Sequence, residues 1–205
     1  MSSPMRTAMV LSICVGVALI LLSVVNGLTR GKITQAHQAW MLENLSSVLP
    51  EGPFDANPMD SREQHIAPAL GSAEPLEIYT AYKNEQAAAI VLEVVAPDGY
   101  SGQIKLLLGL HVDGTIIAAR VIEHKETPGL GDGIELRKSN WIHQFENLST
   151  ASSMPSHWAL KNRGGEFDGL TGATITSSAV VRAIHRALNW YDAHRDTIFE
   201  TGSQS

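Results

Sequence analysis

The sequence predicts an α+β protein, in which a single N-terminal transmembrane helix precedes one domain with a mainly antiparallel sheet and flanking helices. Three observations lead to this prediction. Residues 8–28 carry no charged side chain, residues 76–122 hold strand-like segments joined by turns, and an amphipathic helix runs from Val180 onward. At 205 residues the chain has room for one sizeable domain and an anchor.

The uncharged stretch at residues 8–28 is long enough to cross the hydrocarbon core of a bilayer, about 30 Å thick, as an α-helix. A cleaved signal peptide is the alternative. The stretch is longer than the apolar region of such a peptide, however, and residues 23–27 do not resemble an Ala-x-Ala cleavage site. We therefore expect an uncleaved anchor in the lipid bilayer. Because Arg6 lies on one side and Arg30 and Lys32 on the other, charge does not set its orientation.

Composition limits the function of the domain that follows the anchor. The formal net charge is −6, and Arg6 is the only charged side chain before Leu28, so the domain itself is acidic. An acidic domain without a Lys/Arg-rich run argues against nucleic acid as a partner. The one cysteine, Cys14, excludes an intramolecular disulfide and a protein-held iron–sulfur cluster. If the protein carries electrons, it needs an organic cofactor.

The segments that flank the domain carry no catalytic signature. A short tail is predicted at residues 1–7. A membrane-proximal helix and a Pro-rich connector are predicted at residues 29–75, with the helix over residues 34–49 and its end set by Pro50. The proline content of the connector predicts irregular loops or short extended pieces. A C-terminal tail is predicted at residues 196–205.

The sheet belongs to a domain that is predicted to span residues 76–195. About four strands are indicated by alternating or β-branched apolar residues, at residues 76–82, 87–95, 103–110 and 115–122. Pro97-Asp98-Gly99 is typical of a turn, and Val112-Asp113-Gly114 is a hairpin signal. These features together predict an antiparallel sheet.

Shorter elements are predicted between the sheet and the last helix. Trp141 and Phe145 indicate a short packed helix, and residues 157–161 indicate a last short strand. We expect Trp158 to lie in the core rather than against a ligand. His124 has no second histidine at the spacing of a metal site, so we predict a solvated side chain there and no metal site.

The last helix presents one apolar and one polar face, with Val180, Ile184, Leu188 and Tyr191 opposite Arg182, His185, Arg186 and Asn189. Thr176, Ser177 and Ser178 are expected to cap its N terminus. Free N–H groups and the positive end of the helix dipole favour an anion at this point, such as the phosphate of a nucleotide-like cofactor. Ordinary capping without a ligand is the alternative.

The loop at residues 123–132 follows directly after a predicted strand. Its glycines, Gly129 and Gly131, let the backbone approach a planar ligand closely. A plain surface loop is the alternative. Thr176 and Ser177 are further candidates, since their hydroxyls are suited to hold phosphate oxygens.

Residues 168–174, with the sequence Asp-Gly-Leu-Thr-Gly-Ala-Thr, resemble the flavinylation motif of a family of membrane-bound electron-transfer proteins. Residues 96–102, 126–132 and 167–181 stand in the order and spacing of the G subunit of the Rnf/Rsx-type ion-translocating electron transport complex. The resemblance covers the anchor and about residues 76–192. The same FMN-binding domain occurs in the C subunit of the sodium-pumping NADH:quinone oxidoreductase.

The resemblance implies an FMN that is joined covalently to Thr174 through a phosphoester. It also implies that a flavin transferase recognises the residues that precede this threonine, namely Asp168, Thr171, Gly172 and Ala173. Further contacts with the cofactor are expected from both loops and the helix, at Glu126, Thr127, Gly129, Leu130, Gly131, Thr176 and Ser177. No catalytic residue and no metal ligand is predicted.

The function implied by the resemblance is electron transfer, one electron at a time, within a multi-subunit complex of the inner membrane that links NADH, ferredoxin and an ion gradient. The soluble domain would face the periplasm, and the partners would be other membrane subunits of the complex. A complete enzyme is disfavoured, because no His/carboxylate pair for proton transfer is evident. A non-covalent FMN-binding or sensory module and a purely structural assembly subunit remain as alternatives.

Overall fold

A computed structural model describes residues 3–152 and 155–201 and divides the chain into two compact units, Met1–Leu42 and Glu43–Ser205. The described residues of the first unit belong to the helix α1, which runs from Ser3 to Val48. Its most apolar window has a mean hydropathy of 2.8 and is not buried, so by length and composition the helix can cross a bilayer.

The anchor and the membrane-proximal helix are one continuous helix. Thr29 follows the first predicted segment and Thr34 begins the second, and their hydroxyls donate to carbonyl groups four residues earlier, at 2.7 and 3.1 Å. These bonds are compatible with helical backbone and give the hydroxyls partners within the helix. The helix ends at Val48, just before Pro50, as predicted.

The second unit contains a five-stranded antiparallel sheet in which each strand pairs with its neighbour in the chain, in the order β1-β2-β3-β4-β5. The strands are β1 Arg62–His65, β2 Leu76–Lys83, β3 Gln86–Ala96, β4 Ile104–His111 and β5 Ile116–Glu123. The predicted strands correspond to β2 to β5, and the predicted α+β class is confirmed. The additional strand, β1, lies at the sheet edge within the predicted connector.

The hairpin between β2 and β3 turns through two non-glycine residues with positive φ, Asn84 at 54° and Glu85 at 61°. Their N–H groups donate to the two carboxylate oxygens of Asp55 at 3.0 and 2.8 Å. A side chain of the connector therefore compensates for the conformational cost of this turn.

One face of the sheet forms the main core with α2, which runs from Thr174 to Thr201. Val180, Ile184, Leu188 and Tyr191 are buried there, as the predicted apolar face requires. Short 3₁₀ helices complete the second unit, at Pro58–Ser61, Pro68–Leu70, Gly131–Ile134, Trp141–Phe145, Thr150–Ser152, Pro155–His157 and Lys161–Arg163. The helix at Trp141–Phe145 confirms the predicted short packed helix.

The opposite face of the sheet approaches the last turns of α1 at Gly109 in β4. A Cβ atom at position 109 would lie 1.8 Å from the carbonyl oxygen of Val48. Leu45 and Val48 are fully buried at this end of α1. Glycine at 109 is therefore required for the close approach of the helix end to the sheet.

The predicted strand at residues 157–161 is wrong. This region consists of 3₁₀ turns with one isolated bridge between Leu160 and Phe167, because the chain folds back on itself at Gly164 and bonds locally. Trp158 lies in the core as predicted, between the rings of Phe167 and His185.

Candidate functional site

A cavity of about 540 Å³ lies between three segments of the second unit. Its volume is within the range of about 300–1,000 Å³ that is usual for sites of small molecules and cofactors. The loop after β3, the loop after β5 and the start of α2 provide the lining, which consists of Tyr100, Glu126, Thr127, Leu130, Gly131, Gly172, Ala173, Thr174, Ile175 and Thr176.

The N terminus of α2 opens onto this cavity. The helix begins at Thr174, so the prediction that Thr176, Ser177 and Ser178 cap it is wrong, because all three lie inside the helix. The backbone N–H groups of Thr174, Ile175 and Thr176 have no acceptor in the described part of the chain. The half-buried Thr174 side chain and these free N–H groups therefore form one wall of the cavity.

Ser177 acts behind this wall rather than in it. Its hydroxyl accepts a hydrogen bond from the N–H of Leu170 at 2.9 Å and donates to the carbonyl of Ala173 at 3.0 Å. The side chain is fully buried and does not line the cavity. Ser177 thus fixes the loop before α2, which turns at Gly172 with a φ of 79°.

Asp168 and Thr171 lie on the outer side of the same loop, exposed to solvent and away from the cavity lining. The carboxylate of Asp168 pairs with Lys161 at 2.8 Å. Its main chain is held by Trp141, whose indole N–H donates to the carbonyl at 2.6 Å, and by Gln144, whose side-chain oxygen accepts from the N–H at 2.8 Å. Two of the four predicted recognition residues are therefore accessible from outside, whereas Gly172 and Ala173 line the cavity and Ala173 is buried.

The loop after β5 is a compact turn. The carbonyl of Thr127 accepts hydrogen bonds from the N–H groups of Leu130 and Gly131 at 3.2 and 3.0 Å, and the N–H of Gly129 donates to Asp132 at 2.8 Å. Gly129 has a φ of 78° and lies outside the lining, whereas Thr127, Leu130 and Gly131 line the cavity. The turn presents backbone and an apolar side chain to a ligand.

Glu126 is the charged residue of the lining, and only 4% of it is exposed. One carboxylate oxygen accepts the N–H of Ser101 at 3.0 Å, and the other accepts the hydroxyl of Thr176 at 2.5 Å. Glu126 therefore connects all three walls of the cavity.

His124 is not solvated, contrary to the prediction. Its Nδ1 accepts the N–H of Glu126 at 3.0 Å, and its Nε2 lies 2.8 Å from a carboxylate oxygen of Glu135. Because Nδ1 is an acceptor, the proton is on Nε2, which donates to Glu135. This hydrogen bond is the main cause of the lowered pKa of Glu135. No group of three or more potential metal ligands occurs among the residues that the structure describes.

Exposed apolar side chains surround the mouth of the cavity. Tyr100, Leu130 and Ile175 are 68%, 50% and 49% exposed, and one comes from each wall. Tyr100 and Ile175 are absent from the site predicted from the sequence, although both lie in segments that carry the resemblance. Both could have been identified from the sequence as apolar side chains next to a turn or a helix start whose other residues are polar.

Comparison with known proteins agrees with this geometry. The model of the FMN-binding domain family matches residues 99–189. The G subunit of the ion-translocating oxidoreductase complex of Pseudomonas aeruginosa (strain UCBPP-PA14) is 42% identical over 96% of this chain and 92% of its own length. The corresponding protein of Vibrio vulnificus (strain YJ016) is 41% identical over 83% of this chain and 81% of its own. The chain belongs to this G-subunit family.

The fold of this chain is also found in a solved structure. The crystal structure of Shewanella oneidensis NqrC aligns with 69% of this chain and 70% of that chain, with a TM-score of 0.50 and 17% sequence identity. All three cavity walls fall inside the matched FMN-binding domain. Membership of the G-subunit family, this domain and the apolar helix together support a membrane flavoprotein with a role in electron transport.

Proposed function

We propose that this member of the G-subunit family is a membrane-anchored electron carrier whose FMN is joined to Thr174 by a phosphoester. The observation that carries the proposal is the position of Thr174, whose side chain lines the cavity at the first residue of α2, beside free N–H groups. A phosphate at this point is stabilised by those N–H groups and by the positive end of the helix dipole.

The remaining lining fits the flavin part of FMN. Gly131 and Gly172 let backbone approach the ligand, and the apolar side chains of Tyr100, Leu130 and Ile175 cover a flat aromatic surface at the mouth. When bound, the flavin supplies the electron-accepting ring, and the protein supplies its orientation and electrostatic surroundings. A covalent phosphoester prevents loss of the cofactor from a cavity that is open to solvent.

Membership of the family supports a proposal for the location and the partners. We propose that α1 anchors the chain in the inner membrane by a single pass, that the domain lies in the periplasm, and that it exchanges electrons with other membrane subunits of an ion-translocating complex. A flavin transferase would attach the FMN after recognising the accessible loop of Asp168 and Thr171. The exposed position of these side chains supports recognition by a second protein.

The alternatives differ in what happens to the flavin. A non-covalent FMN-binding or sensory module would use the same cavity but release FMN on denaturation, and a structural assembly protein would hold no flavin. The intact mass of the denatured full-length protein, purified from cells that make the flavin transferase, separates these cases. We expect the mass to increase by one FMN less one water, with the modification in the peptide that contains Thr174.

The Thr174→Val variant tests the attachment site, because it removes the hydroxyl with little change in volume. We expect it to lose the covalent flavin completely, as measured by mass and by the fluorescence of the denatured band. Thr176→Val is the matched control, since it removes a second hydroxyl from the same wall, and it should keep the flavin. Flavin kept on Thr174→Val and lost from Thr176→Val would reject Thr174 as the attachment site.

A further inference from the structure

The carboxylate of Glu126 is a buried charge without a counter-ion. It forms no ion pair with any residue that the structure describes, and its two hydrogen bonds come from a backbone N–H and a neutral hydroxyl, those of Ser101 and Thr176. Two neutral donors satisfy part of its hydrogen-bonding capacity but leave the negative charge in place. Each oxygen also keeps a lone pair that a ligand in the cavity can use.

Two glycines lie directly beside the side chain of Glu126. A Cβ atom at position 131 would lie 2.8 Å from the Cβ of Glu126 and 3.0 Å from one of its carboxylate oxygens. A Cβ atom at position 99 would lie 2.9 Å from the other oxygen. The closest contact of the Cβ at position 99 is the carbonyl oxygen of Gly102, at 2.3 Å. The missing side chain at position 131 is therefore the one that leaves room for the charged group, and glycine at 99 is required by the turn itself.

Stability does not account for a charged group at this position. Burying an ionised carboxylate is unfavourable unless it is paired, and replacing buried charges by apolar groups of similar volume is often neutral or stabilising. A cross-link between the three walls needs only a neutral side chain that can accept hydrogen bonds. What a carboxylate adds is a negative charge on a buried side chain, whose field solvent screens less than that of a charge on the surface.

We propose that the Glu126 carboxylate lowers the reduction potential of the flavin in this cavity by holding an uncompensated negative charge against it. The inference rests on the proposed binding of FMN. Each electron that enters the ring adds one unit of negative charge, unless a proton from water enters with it. A fixed negative charge at Glu126 therefore makes electron uptake less favourable, and Thr176, which donates to the carboxylate, weakens this effect.

The first test is the midpoint potential of the Glu126→Gln variant, titrated spectroscopically with dithionite in the full-length, FMN-loaded protein. Glutamine keeps the shape and removes the charge. We expect electron uptake to become about tenfold more favourable, which corresponds to a potential about 59 mV higher for a one-electron step. Glu123→Gln is the matched control, since it removes the same charge from an exposed side chain one residue before His124, and its potential should equal that of the wild type.

The second test separates electrostatics from loss of structure. Thr176→Val keeps the charge but removes one of its donors, so we expect its midpoint potential to fall below that of the wild type. Thr176→Ser keeps the hydroxyl and should restore the wild-type potential. If Glu126 and Thr176 only held the cavity together, Glu126→Gln and Thr176→Val would both loosen it. The midpoint potentials of these two variants would then shift in the same direction.

Salt provides a further criterion, because it screens surface charges but has little effect on a buried one. The difference between the wild type and Glu126→Gln should persist as the ionic strength rises, with equal flavin content verified by mass. Shifts of the same sign in Glu126→Gln and Thr176→Val, or an unchanged potential in Glu126→Gln, would overturn the inference and leave the proposed function intact. Absence of FMN from the wild-type protein would overturn both. If Glu126→Gln does not fold, the inference requires a lowered potential in Thr176→Val and the wild-type potential in Thr176→Ser, and equal potentials in these two variants would overturn it.

Discussion

At the scale of single residues, Gly131 has two roles, which can be distinguished by comparing two glycine substitutions in the same loop. It lines the cavity, and its missing side chain leaves room for Glu126. We expect Gly131→Ala to destabilise the protein by about 1–3 kcal/mol, the usual cost of overpacking, and to reduce the amount of bound FMN. Chemical denaturation and the flavin content of the purified protein measure the two effects.

The matched control for this variant is Gly129→Ala in the same loop. Its φ of 78° makes alanine strained, by about 1–2 kcal/mol, but no atom lies within 4 Å of the added Cβ. The control should therefore lose stability and keep its FMN. Equal loss of FMN in both variants would show that the loop conformation, and not the space at Glu126, governs binding.

His185, which packs against the core, is expected to make the free energy of unfolding depend on pH. Its ring stacks on Trp158 with centroids 5.1 Å apart, and burial lowers its pKa. A histidine with a lowered folded pKa contributes stability above its unfolded pKa of about 6.5, and this contribution is lost as the pH falls through the folded pKa. We expect the free energy of unfolding to decrease from about pH 7 downward, and His185→Gln to decrease less over the same range. Parallel pH profiles for the two proteins would refute this role.

At the scale of elements, the contact between β4 and the last turn of α1 places a backbone carbonyl directly against a strand. We expect Gly109→Ala to destabilise the second unit by at least about 1–3 kcal/mol, because the added Cβ meets a backbone oxygen that cannot rotate away. Thermal unfolding, monitored by circular dichroism in detergent, measures this loss. Gly31→Ala in α1 is the control: it has no atom within 4 Å of the added Cβ, and an unfolding temperature lowered as far as in Gly109→Ala would contradict the explanation.

The elements that could be predicted from the sequence are those whose apolar side chains repeat with a clear period. Strands β2 to β5 and the buried face of α2 belong to this group, and their observed bounds differ little from the prediction. Strand β1 was missed because Arg62–His65 contains only polar side chains, and an edge strand needs no apolar face to pair with β2. The false strand at residues 157–161 had the composition of a strand but no partner segment.

The candidate site was predictable only in part. The motif at residues 168–174 and the glycines of the loop after β5 indicated a cofactor, and the resemblance supplied its identity. The burial of Glu126 and the pairing of His124 could not be predicted from the pattern of residue types, because a carboxylate or an imidazole in a polar loop is usually exposed. The bonds of Glu126 reach residues 25 and 50 positions away, and His124 reaches Glu135 across the turn of its own loop. No local pattern of residue types reports such contacts.

At the scale of the whole molecule, the proposed orientation is open to a direct test by cysteine labelling. In a Cys14→Ser background, Arg163→Cys places a thiol on an exposed turn of the domain, and Arg6→Cys places one at the other end of the apolar stretch. We expect a membrane-impermeant maleimide to label Arg163→Cys in cells whose outer membrane has been permeabilised. Arg6→Cys should be labelled only after the inner membrane is lysed. The reverse pattern would place the domain in the cytoplasm.

The sequence distance between the cavity walls has a consequence for the time at which a new chain can receive its cofactor. The sheet joins neighbouring strands, so its contacts close short loops, whereas the bonds of Glu126 join residues 25 and 50 positions apart. Contacts that close longer loops cost more chain entropy and slow folding. During refolding, the circular dichroism signal of the sheet should therefore return before the ability to take up FMN. Attachment of FMN to a new chain would require that α2 has already packed against the loop after β5.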